Sequence, residues 1–368
     1  MESKISRVVI MYLLWDKEPY AYLEDALYGV SRQSYPKELT ELLIVYNSHQ
    51  SENQSACPFI RETVTAFQEP LPLITILEQS QNLGFSGGNN LGMQWAIDNN
   101  FDYVFLHNGD GYLGRYCLEK MIQAFSFDQS IGLVQALILL HPQTDLINTA
   151  GNCLHFLGLG YGNLYRHPKN YCPSEPIQDI GYASGAAVLM RTEILRQHGL
   201  WDEDFFMYHE DTDYSLRLRL LGFRVVLARQ AEFFHKYQFS RSIKKYYWME
   251  RNRRAIVLLF YRLPTILLIL PLALFFDLAL FIFSLRSGWV RQLLLVYWYW
   301  LQPKHWRLWL KKRKKIQLTR CISDRELLQV AVSIITFQEA TVANPILRYI
   351  GNPIMQVYWK IVYFFVRW

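Results

Sequence analysis

Hydrophobic and polar residues alternate along the first 235 positions in a way that predicts strands and helices in turn. Short apolar runs rich in β-branched residues indicate buried strands. They lie at Arg7 to Leu14, Glu41 to Tyr46, Leu73 to Leu77 and Tyr103 to Leu106. Helical spacing follows the first run, at Tyr20 to Arg32, and a second helix is expected to end near Asn99. This order predicts an α/β fold with an open, mostly parallel sheet and helices on both faces.

The pattern between residues 180 and 235 is less regular. Ile180 to Met190 predicts a strand that Ser184-Gly185 interrupts. His209 to Leu221 predicts a helix that ends at Gly222, since glycine is the usual residue just past a helix. Arg224 to Ala228 predicts one more strand. We therefore expect a catalytic domain at residues 1–240 and a helical, membrane-associated region at residues 241–368.

The membrane prediction rests on the apolar residues between about 256 and 301. Pro264 to Leu285 reaches the length of a membrane span, although a proline inside it can kink a helix and Asp277 would be costly in lipid. Trp289 to Trp300 is apolar but too short to cross alone, and Ile354 to Trp368 predicts an interfacial helix. A buried core or a dimer interface is the alternative, so a homo-oligomer stays open.

Charge supports a membrane surface as a partner. The net charge is +6, and basic residues flank the apolar stretch at 251–254 and at 311–315. Positive charge at both ends predicts that both ends lie on the cytoplasmic face of the cell membrane, as in-plane helices or a re-entrant hairpin would. No nucleic-acid recognition motif accompanies these clusters, so a nucleic-acid partner is not expected. The five scattered cysteines, which lack a C-x-x-C pair, argue against a disulfide framework and a zinc cluster.

Polar residues follow two of the predicted strands, where ligands bind in open α/β sheets. Asn47 opens the loop after the second strand, and Asn108-Gly109-Asp110 follows the fourth. A carboxylate in this place can hold Mg²⁺ or Mn²⁺ against a diphosphate, because these cations favour oxygen ligands. The alternative for Asn-Gly-Asp is a simple turn. His235, at the end of the last predicted strand, is a candidate second metal ligand or an ordinary structural histidine.

Two further segments are candidates for binding and catalysis. Gln81 to Gly92 is rich in glycine and asparagine before a helix, which suits close approach of a ligand, but it is neither a dinucleotide-binding fingerprint nor a P-loop. Glu210, Asp211 and Asp213 begin a predicted helix. Acids in a first helical turn are often caps, yet apolar residues beside them can raise a carboxyl pKa toward that of a general base.

Taken together, these segments resemble the family 2 glycosyltransferases with a GT-A fold, in particular a bacterial rhamnosyltransferase-like branch. That branch has N-x-G-x-x-x-G-x-N, N-P-D, S-G-A and G-x-x-D-E-x-F-F-x-Y-x-E-D-x-D segments, then a histidine, a serine and an R-N pair. The matching positions are Asn82, Gly84, Gly88, Asn90, Asn108, Asp110, Ser184 to Ala186, Gly199 to Asp213, His235, Ser240 and Arg251-Asn252. The resemblance covers about residues 5–315. Gly109 replaces the proline of N-P-D, and Tyr46-Asn47 lacks the acid that usually contacts the nucleotide.

The resemblance implies an inverting transfer from a nucleotide-sugar, either dTDP-rhamnose or a UDP-sugar, to a glycan or a polyprenyl-linked acceptor in cell-envelope polysaccharide synthesis. Asp211, or Glu210 if the register differs, would be the catalytic base. Asp110 and His235 would hold the divalent cation. The nucleotide-sugar would contact Tyr12, Asn47, Asn82, Gly84, Gly88, Asn90, Asn108 and Asp110.

Two other functional classes stay open from the sequence. A degenerate transferase could serve as a non-catalytic membrane scaffold, given the departures at Tyr46 and Gly109. A nucleotidyltransferase shares the fold type and an acid–metal site, but it would need basic residues facing a triphosphate, and the 81–92 loop has none. The cellulose-synthesising branch carries a Q-x-x-R-W motif that is absent from the sequence, so addition of one or a few sugars is expected.

Overall fold

A computed structural model describes residues 6–15, 19, 21–47, 57–237, 246–336 and 345–368. Ser240 and the loop residues 48–55 lie outside the described residues. The strands are β1 (Val8–Leu14), β2 (Thr40–Asn47), β3 (Leu73–Gln79), β4 (Tyr103–Asn108), β5 (Gly111–Leu113), β6 (Ile131–Leu140), β7 (Ile147–Thr149), β8 (Asn152–His155), β9 (Gly160–Gly162), β10 (Ile177–Asp179), β11 (Ala187–Arg191), β12 (Arg224–His235) and β13 (Ala331–Val332).

The helices alternate with the first strands and then continue alone toward the C-terminus. They are α1 (Ala21–Ser31), α2 (Cys57–Ala66), α3 (Gly84–Asp98), α4 (Cys117–Ala124), α5 (Thr192–His198), α6 (Glu210–Leu220), α7 (Tyr246–Phe260), α8 (Leu263–Ser287), α9 (Val290–Leu301), α10 (Pro303–Leu318), α11 (Asp324–Leu327) and α12 (Asn352–Phe365). Short 3₁₀ turns lie at Lys37–Leu39, Lys169–Tyr171, Glu203–Phe205 and Leu328–Val330, and a π turn at Leu347–Gly351 precedes α12.

The chain divides into two compact units. The first contains residues 1–151, 162–206 and 224–237, and the second contains residues 152–161, 207–223 and 238–368. We expected a boundary at residue 240 between a catalytic domain and a membrane-associated region. This boundary stays a proposal, because a division into compact units does not test a division by function.

A large sheet dominates the first unit, with the strand order β10-β12-β6-β11-β4-β1-β2-β3. Neighbours from β4 through β1 and β2 to β3 are parallel, and so are β6 and β12, while β11 runs antiparallel between β4 and β6. This confirms the predicted α/β class, and the sheet is mixed: it is parallel from β4 to β3 and contains antiparallel pairs elsewhere. Leu14 pairs with Tyr46, and Leu13 pairs with Asn108, so the loops after β2 and β4 leave the same edge of the sheet.

Helices cover both faces of this sheet. Ile10 and Tyr12 of β1 belong to the core that also contains residues of α1, α2 and α4. Met11 and Leu13 point the other way, toward α3, where Gly88 and Gly92 leave room for them. A side chain at either glycine would collide with the strand, which explains why small residues recur in this helix.

Strand β12 is longer than the sequence predicted. The predicted strand at Arg224 to Ala228 continues through a register shift between Ala228 and Glu232 and reaches His235. The predicted strand at Ile180 to Met190 begins only at Ala187, after the Ser184-Gly185 interruption. Gly222 has a φ of +90°, as expected for the residue that ends α6.

The second unit is mostly helical, and its basic cluster at 251–254 is not a lipid-facing surface, contrary to our expectation. Arg253 is buried and forms ion pairs with Glu250 at 3.0 Å and with Asp277 at 2.8 Å. Arg254 also pairs with Asp277, at 3.1 Å. These arginines are held by carboxylates on α7 and α8, since burying them unpaired would cost several kcal/mol.

α8 is long and apolar enough to cross a bilayer by length and composition, and most of it is exposed. The exposed large apolar residues of α8 are Leu263, Leu267, Leu270, Leu274, Phe275, Leu278, Ile282, Phe283 and Leu285. The alternative of a buried core helix is therefore wrong, because only four residues of α8 are buried. α12 packs beside α8, where the Tyr358 hydroxyl donates to the Leu268 carbonyl at 2.7 Å, and it too exposes an apolar face.

Candidate functional site

Three polar side chains meet where β4 and β12 end in the first unit. Asp110 Oδ1 lies 2.8 Å from His235 Nε2 and accepts a hydrogen bond of 2.6 Å from Asn108 Nδ2. β5 and β12 pair through Gly111 and His235, which fixes the histidine beside the Asn-Gly-Asp segment. The structure therefore brings together the two residues predicted to hold a metal.

His235 has a second partner that the sequence did not reveal. Its Nδ1 lies 2.9 Å from Oδ1 of Asn148, a buried residue of β7. If Nδ1 donates its proton to this oxygen, Nε2 of the neutral ring carries a lone pair and faces the Asp110 carboxylate. Two electron-rich atoms at this distance need a shared proton or a positive charge between them, and a bound metal cation can supply that charge.

The donor set fits a divalent cation such as Mn²⁺ or Mg²⁺. Oxygen and imidazole nitrogen suit Mn²⁺, which also takes phosphate oxygens as ligands. Two ligand atoms about 2.1 Å from a cation and at right angles are about 3 Å apart, close to the 2.8 Å between Asp110 and His235. Within the described residues, no group of three His, Cys, Asp or Glu side chains forms a complete metal site. Further ligands would therefore have to come from a substrate or from water.

Tyr12 and His107 lie beneath this site. The Tyr12 ring is fully buried, and its hydroxyl donates to the Gly109 carbonyl at 2.9 Å, so it supports the Asn-Gly-Asp turn rather than presenting itself to a ligand. His107 packs edge-on against Tyr12 and Phe233, and burial lowers its pKa from 6.5 to about 4. His107 is therefore neutral near pH 7, since burial disfavours the charged ring.

The Gln81 to Gly92 segment is held by hydrogen bonds within the protein. Buried Asn47 accepts from Leu83 N–H at 2.9 Å and donates to the Gly84 carbonyl at 2.8 Å. Asn82 Oδ1 accepts from Gly84 N–H at 2.8 Å. Gly88 lies so close to the Asn47 amide that a Cβ there would come within 2.7 Å of it. These residues build the loop after β3 and the start of α3.

The start of α3 is bound to the segment before α6. The Phe206 carbonyl accepts from the N–H groups of Phe85 at 2.8 Å and Ser86 at 3.2 Å. These two helix N-terminal amides are therefore already used within the protein. The side-chain amide of Asn90 forms two hydrogen bonds with the backbone of Trp201. Its oxygen accepts from the Trp201 N–H at 3.0 Å, and its nitrogen donates to the Trp201 carbonyl at 2.9 Å. It also donates to Glu203 at 2.9 Å, so Asn90 has a structural role.

The acidic pair begins α6 in the second unit. Glu210 is 3% exposed, and burial, followed by the charges of Asp211 and Asp213, raises its pKa well above the ordinary value. Glu210 is therefore protonated over a wider pH range than an exposed glutamate. Asp211 is half-buried, and its Oδ1 accepts from the Thr212 N–H at 2.7 Å. Between the two carboxyls, Asp211 is the better candidate for a base at neutral pH.

The segment just before this pair has an unusual backbone. Phe206, Tyr208 and His209 have φ values of +62°, +63° and +68°. Non-glycine residues rarely adopt this region, which costs roughly 1–3 kcal/mol each and is concentrated at functional sites. Asn252, fully buried on α7, donates to the carbonyls of Met207 at 3.0 Å and Tyr208 at 2.7 Å. The asparagine of the R-N pair thus holds the backbone that leads into Glu210 and Asp211.

The comparisons with known proteins concern the family of the chain. Residues 8–255 match the family described as Glycosyltransferase like family 2. The low-salt glycan biosynthesis hexosyltransferase Agl10 of Haloferax volcanii is 24% identical over 187 residues, 49% of this chain and 54% of that protein. The chain thus spans about half the length of this curated relative.

Among the solved structures compared, one reaches a TM-score of 0.50 and a second scores lower. A structure of GalNAc-T7 with UDP, GalNAc and Mn²⁺ superposes with a TM-score of 0.50 at 12% identity, covering 64% of this chain and 44% of that one. The mannosyltransferase PcManGT from Pyrobaculum calidifontis, in complex with GDP-Man and Mn²⁺, gives 0.49 at 14% identity over 86% of both chains, below the level at which superposition argues a shared fold. Since the family match covers more than half of the sequence, this chain belongs to the family 2 glycosyltransferases.

Proposed function

We propose that this protein transfers a hexosyl residue from a nucleotide-sugar to an acceptor hydroxyl during glycan synthesis. The observation that carries the proposal is the Asp110–His235 pair at the carboxyl ends of the sheet strands. The family supports a nucleotide-sugar as the donor class. Without a cation between them, Asp110 would repel a bound diphosphate, because both are negatively charged.

We propose that a divalent cation binds at Asp110 and His235, with Asn108 and Asn148 orienting them. When bound, such a cation supplies positive charge that stabilises the departing nucleoside diphosphate. Asn108 donates to Asp110, and Asn148 fixes the ring of His235. Partners of this kind hold ligating side chains in one orientation and tune their basicity.

The transfer itself is proposed as a single displacement with inversion. Asp211 takes the proton from the acceptor hydroxyl as that oxygen forms a bond to the anomeric carbon. The bond from the anomeric carbon to the diphosphate oxygen breaks, and the nucleoside diphosphate leaves with the bonding electrons. Burial raises the pKa of Glu210 well above its ordinary value, which distinguishes this carboxyl from the proposed base beside it.

Membrane association is proposed through helices that lie in the plane of the bilayer. Asp277, near the middle of α8, is paired with Arg253 and Arg254 of α7, and Arg253 also donates to the Leu157 carbonyl at 3.1 Å. The centre of α8 is thereby attached to a helix of the folded unit. An apolar helix held in this way can bury its exposed face in one leaflet without crossing it.

The function is tested with a screen of dTDP-, UDP- and GDP-sugars, with and without Mn²⁺. We expect one nucleotide-sugar to raise the melting temperature only with Mn²⁺, and the protein to release nucleoside diphosphate when an acceptor is added. Asp110→Ala should abolish both effects, whereas Asp145→Ala, an exposed acid in the same unit, should leave them intact. If no nucleotide-sugar binds and none is turned over, a non-catalytic scaffold is the better description.

A further inference from the structure

A positively charged cleft lies in the second unit, and none of its lining residues is assigned to sugar transfer. It has a volume of about 480 Å³ and opens to the surface. It is formed at the start of α8 and along α10. Its main lining residues are Arg262, Leu263, Leu310, Arg313, Lys314 and Arg320. Four cations in one concave place require an explanation, because like charges repel one another when they are brought together.

One carboxylate, Asp324, partly neutralises this cluster. It is fully buried and forms an ion pair with Arg320. It also accepts a hydrogen bond of 2.8 Å from the backbone N–H of Arg262. The charge of Glu326 also acts on Arg320, so two carboxylates against four cations leave an excess of about two positive charges at this position.

Two partly buried arginines are held in place by backbone carbonyls. Arg313 donates to the Tyr261 carbonyl at 2.7 Å, and Arg320 donates to the Ile322 carbonyl at 2.7 Å. Burial lowers the pKa of Arg320, and the charge of Arg262 lowers it further. Neutral carbonyls fix these side chains but do not cancel their charge, so the cleft remains favourable for an anion.

The other two cations are available to a ligand. Across the described part of the chain, the side chains of Arg262 and Lys314 have no hydrogen-bond or ion-pair partner. Both are exposed at the mouth of the cleft. The site thus combines a rigid cationic floor with two cations that can close on a bound group, which suits the several oxygens of a phosphate.

Apolar surface surrounds the mouth of this cleft. Leu263 and Leu310, which line it, are 61% and 46% exposed. The exposed apolar face of α8 continues from Leu263 through Leu267 and Leu270 at the spacing of helical turns. A free phosphate would gain nothing from these leucines, whereas a phosphate that carries acyl chains would place them against this face.

We propose that this cleft binds the phosphate of an anionic phospholipid in the membrane surface, and so fixes how the protein sits on the bilayer. The inference rests on the proposed membrane association and adds a lipid preference to it. Anionic headgroups attract basic residues at the membrane surface. A defined cleft adds to this attraction the geometry of a specific site.

The test is flotation of the full-length protein with vesicles of phosphatidylcholine alone and of phosphatidylcholine with phosphatidylglycerol. Arg262→Ala/Lys314→Ala removes two charges from the cleft. Lys311→Ala/Lys315→Ala removes two from the same helix outside the cleft, since these lysines lie on another face of α10. We expect the cleft variant to lose at least tenfold in partitioning to anionic vesicles and the control less than threefold, with unchanged circular dichroism for both.

Each other outcome overturns the proposal in a distinguishable way. An equal loss in the two variants would show that total charge, rather than the cleft, attracts the lipid. Equal flotation of the unmodified protein with neutral and anionic vesicles would leave membrane association standing and remove the cleft's role. Flotation with neither kind would remove both. Displacement by inorganic phosphate, beyond that by chloride at equal ionic strength, would identify free phosphate as the ligand instead.

Discussion

Asn148 Oδ1 lies 2.9 Å from His235 Nδ1, and this hydrogen bond links β7 to the end of β12. The other nitrogen of the ring is thereby directed at Asp110. Nothing in the sequence pointed to Asn148, since it is 87 residues from His235 and forms part of no motif. Its role depends entirely on the antiparallel pairing of β7 with β6.

Asn148→Ala should weaken the cation site without removing either ligand. Loss of such an orienting partner commonly costs 10–100-fold in metal affinity. We expect the Mn²⁺ concentration for half-maximal activity to rise by about that factor, while the rate at saturating Mn²⁺ stays within a few fold. Asn148→Asp keeps an acceptor oxygen in place and should restore most of the affinity. A Mn²⁺ response that is unaltered in the alanine variant would refute the orienting role.

The two neighbouring carboxyls at the start of α6 should differ in function. Asp211→Asn removes the proposed base, and we expect transfer to fall by about 10²–10⁴-fold while donor binding survives. Glu210→Gln replaces a carboxyl whose pKa is raised by burial with a neutral group of similar shape, so at least a tenth of the activity should remain. Turnover with a saturating donor distinguishes the two variants. The reverse result would make Glu210 the base.

Asn252 should affect the turnover rate, because it holds the backbone of the segment that leads into Asp211. Asn252→Ala leaves the carbonyls of Met207 and Tyr208 without their donor, and we expect the free energy of unfolding to fall by about 1–3 kcal/mol. The kcat should drop because the segment before Asp211 loses its support, whereas donor affinity should change little. Gln302→Ala removes an exposed amide-to-carbonyl bond in the same unit and serves as the control. Equal effects on kcat in the two variants would contradict the assignment.

The orientation of α8 can be decided on sealed vesicles. Leu263→Cys and Ser287→Cys place a thiol at each end of the helix. If α8 lies in the plane of the bilayer, a membrane-impermeant thiol reagent added outside should label both positions equally. If α8 spans, one end should be protected until detergent is added. Peptide mapping by mass spectrometry reads the two sites separately from the native cysteines.

Local pattern was enough to predict the first four strands, because each is a short apolar run between polar loops. The order of the motifs also indicated Asp110 and His235 as candidate metal ligands. Local pattern was insufficient for α7, whose arginines looked like a basic flank at a membrane. Their true partners, Glu250 and Asp277, lie on α7 itself and on α8, and Asp277 is identified only by packing. β6 is a ten-residue strand, apolar except for Gln135, that is not among the predicted strands.

Acid should destabilise the second unit through a buried histidine. His155 is fully buried, its Nδ1 accepts from the Leu157 N–H at 3.2 Å, and burial lowers its pKa from 6.5 to about 3. Between those two pH values the unfolded chain binds a proton that the folded chain does not. The stability is therefore complete above pH 6.5 and declines as the pH falls toward 3, by up to about 1.4 kcal/mol per pH unit. His155→Asn keeps an acceptor but cannot take up the proton, so chemical unfolding at several pH values should show a slope shallower by about that amount. An identical slope in both proteins would show that His155 is not the group responsible.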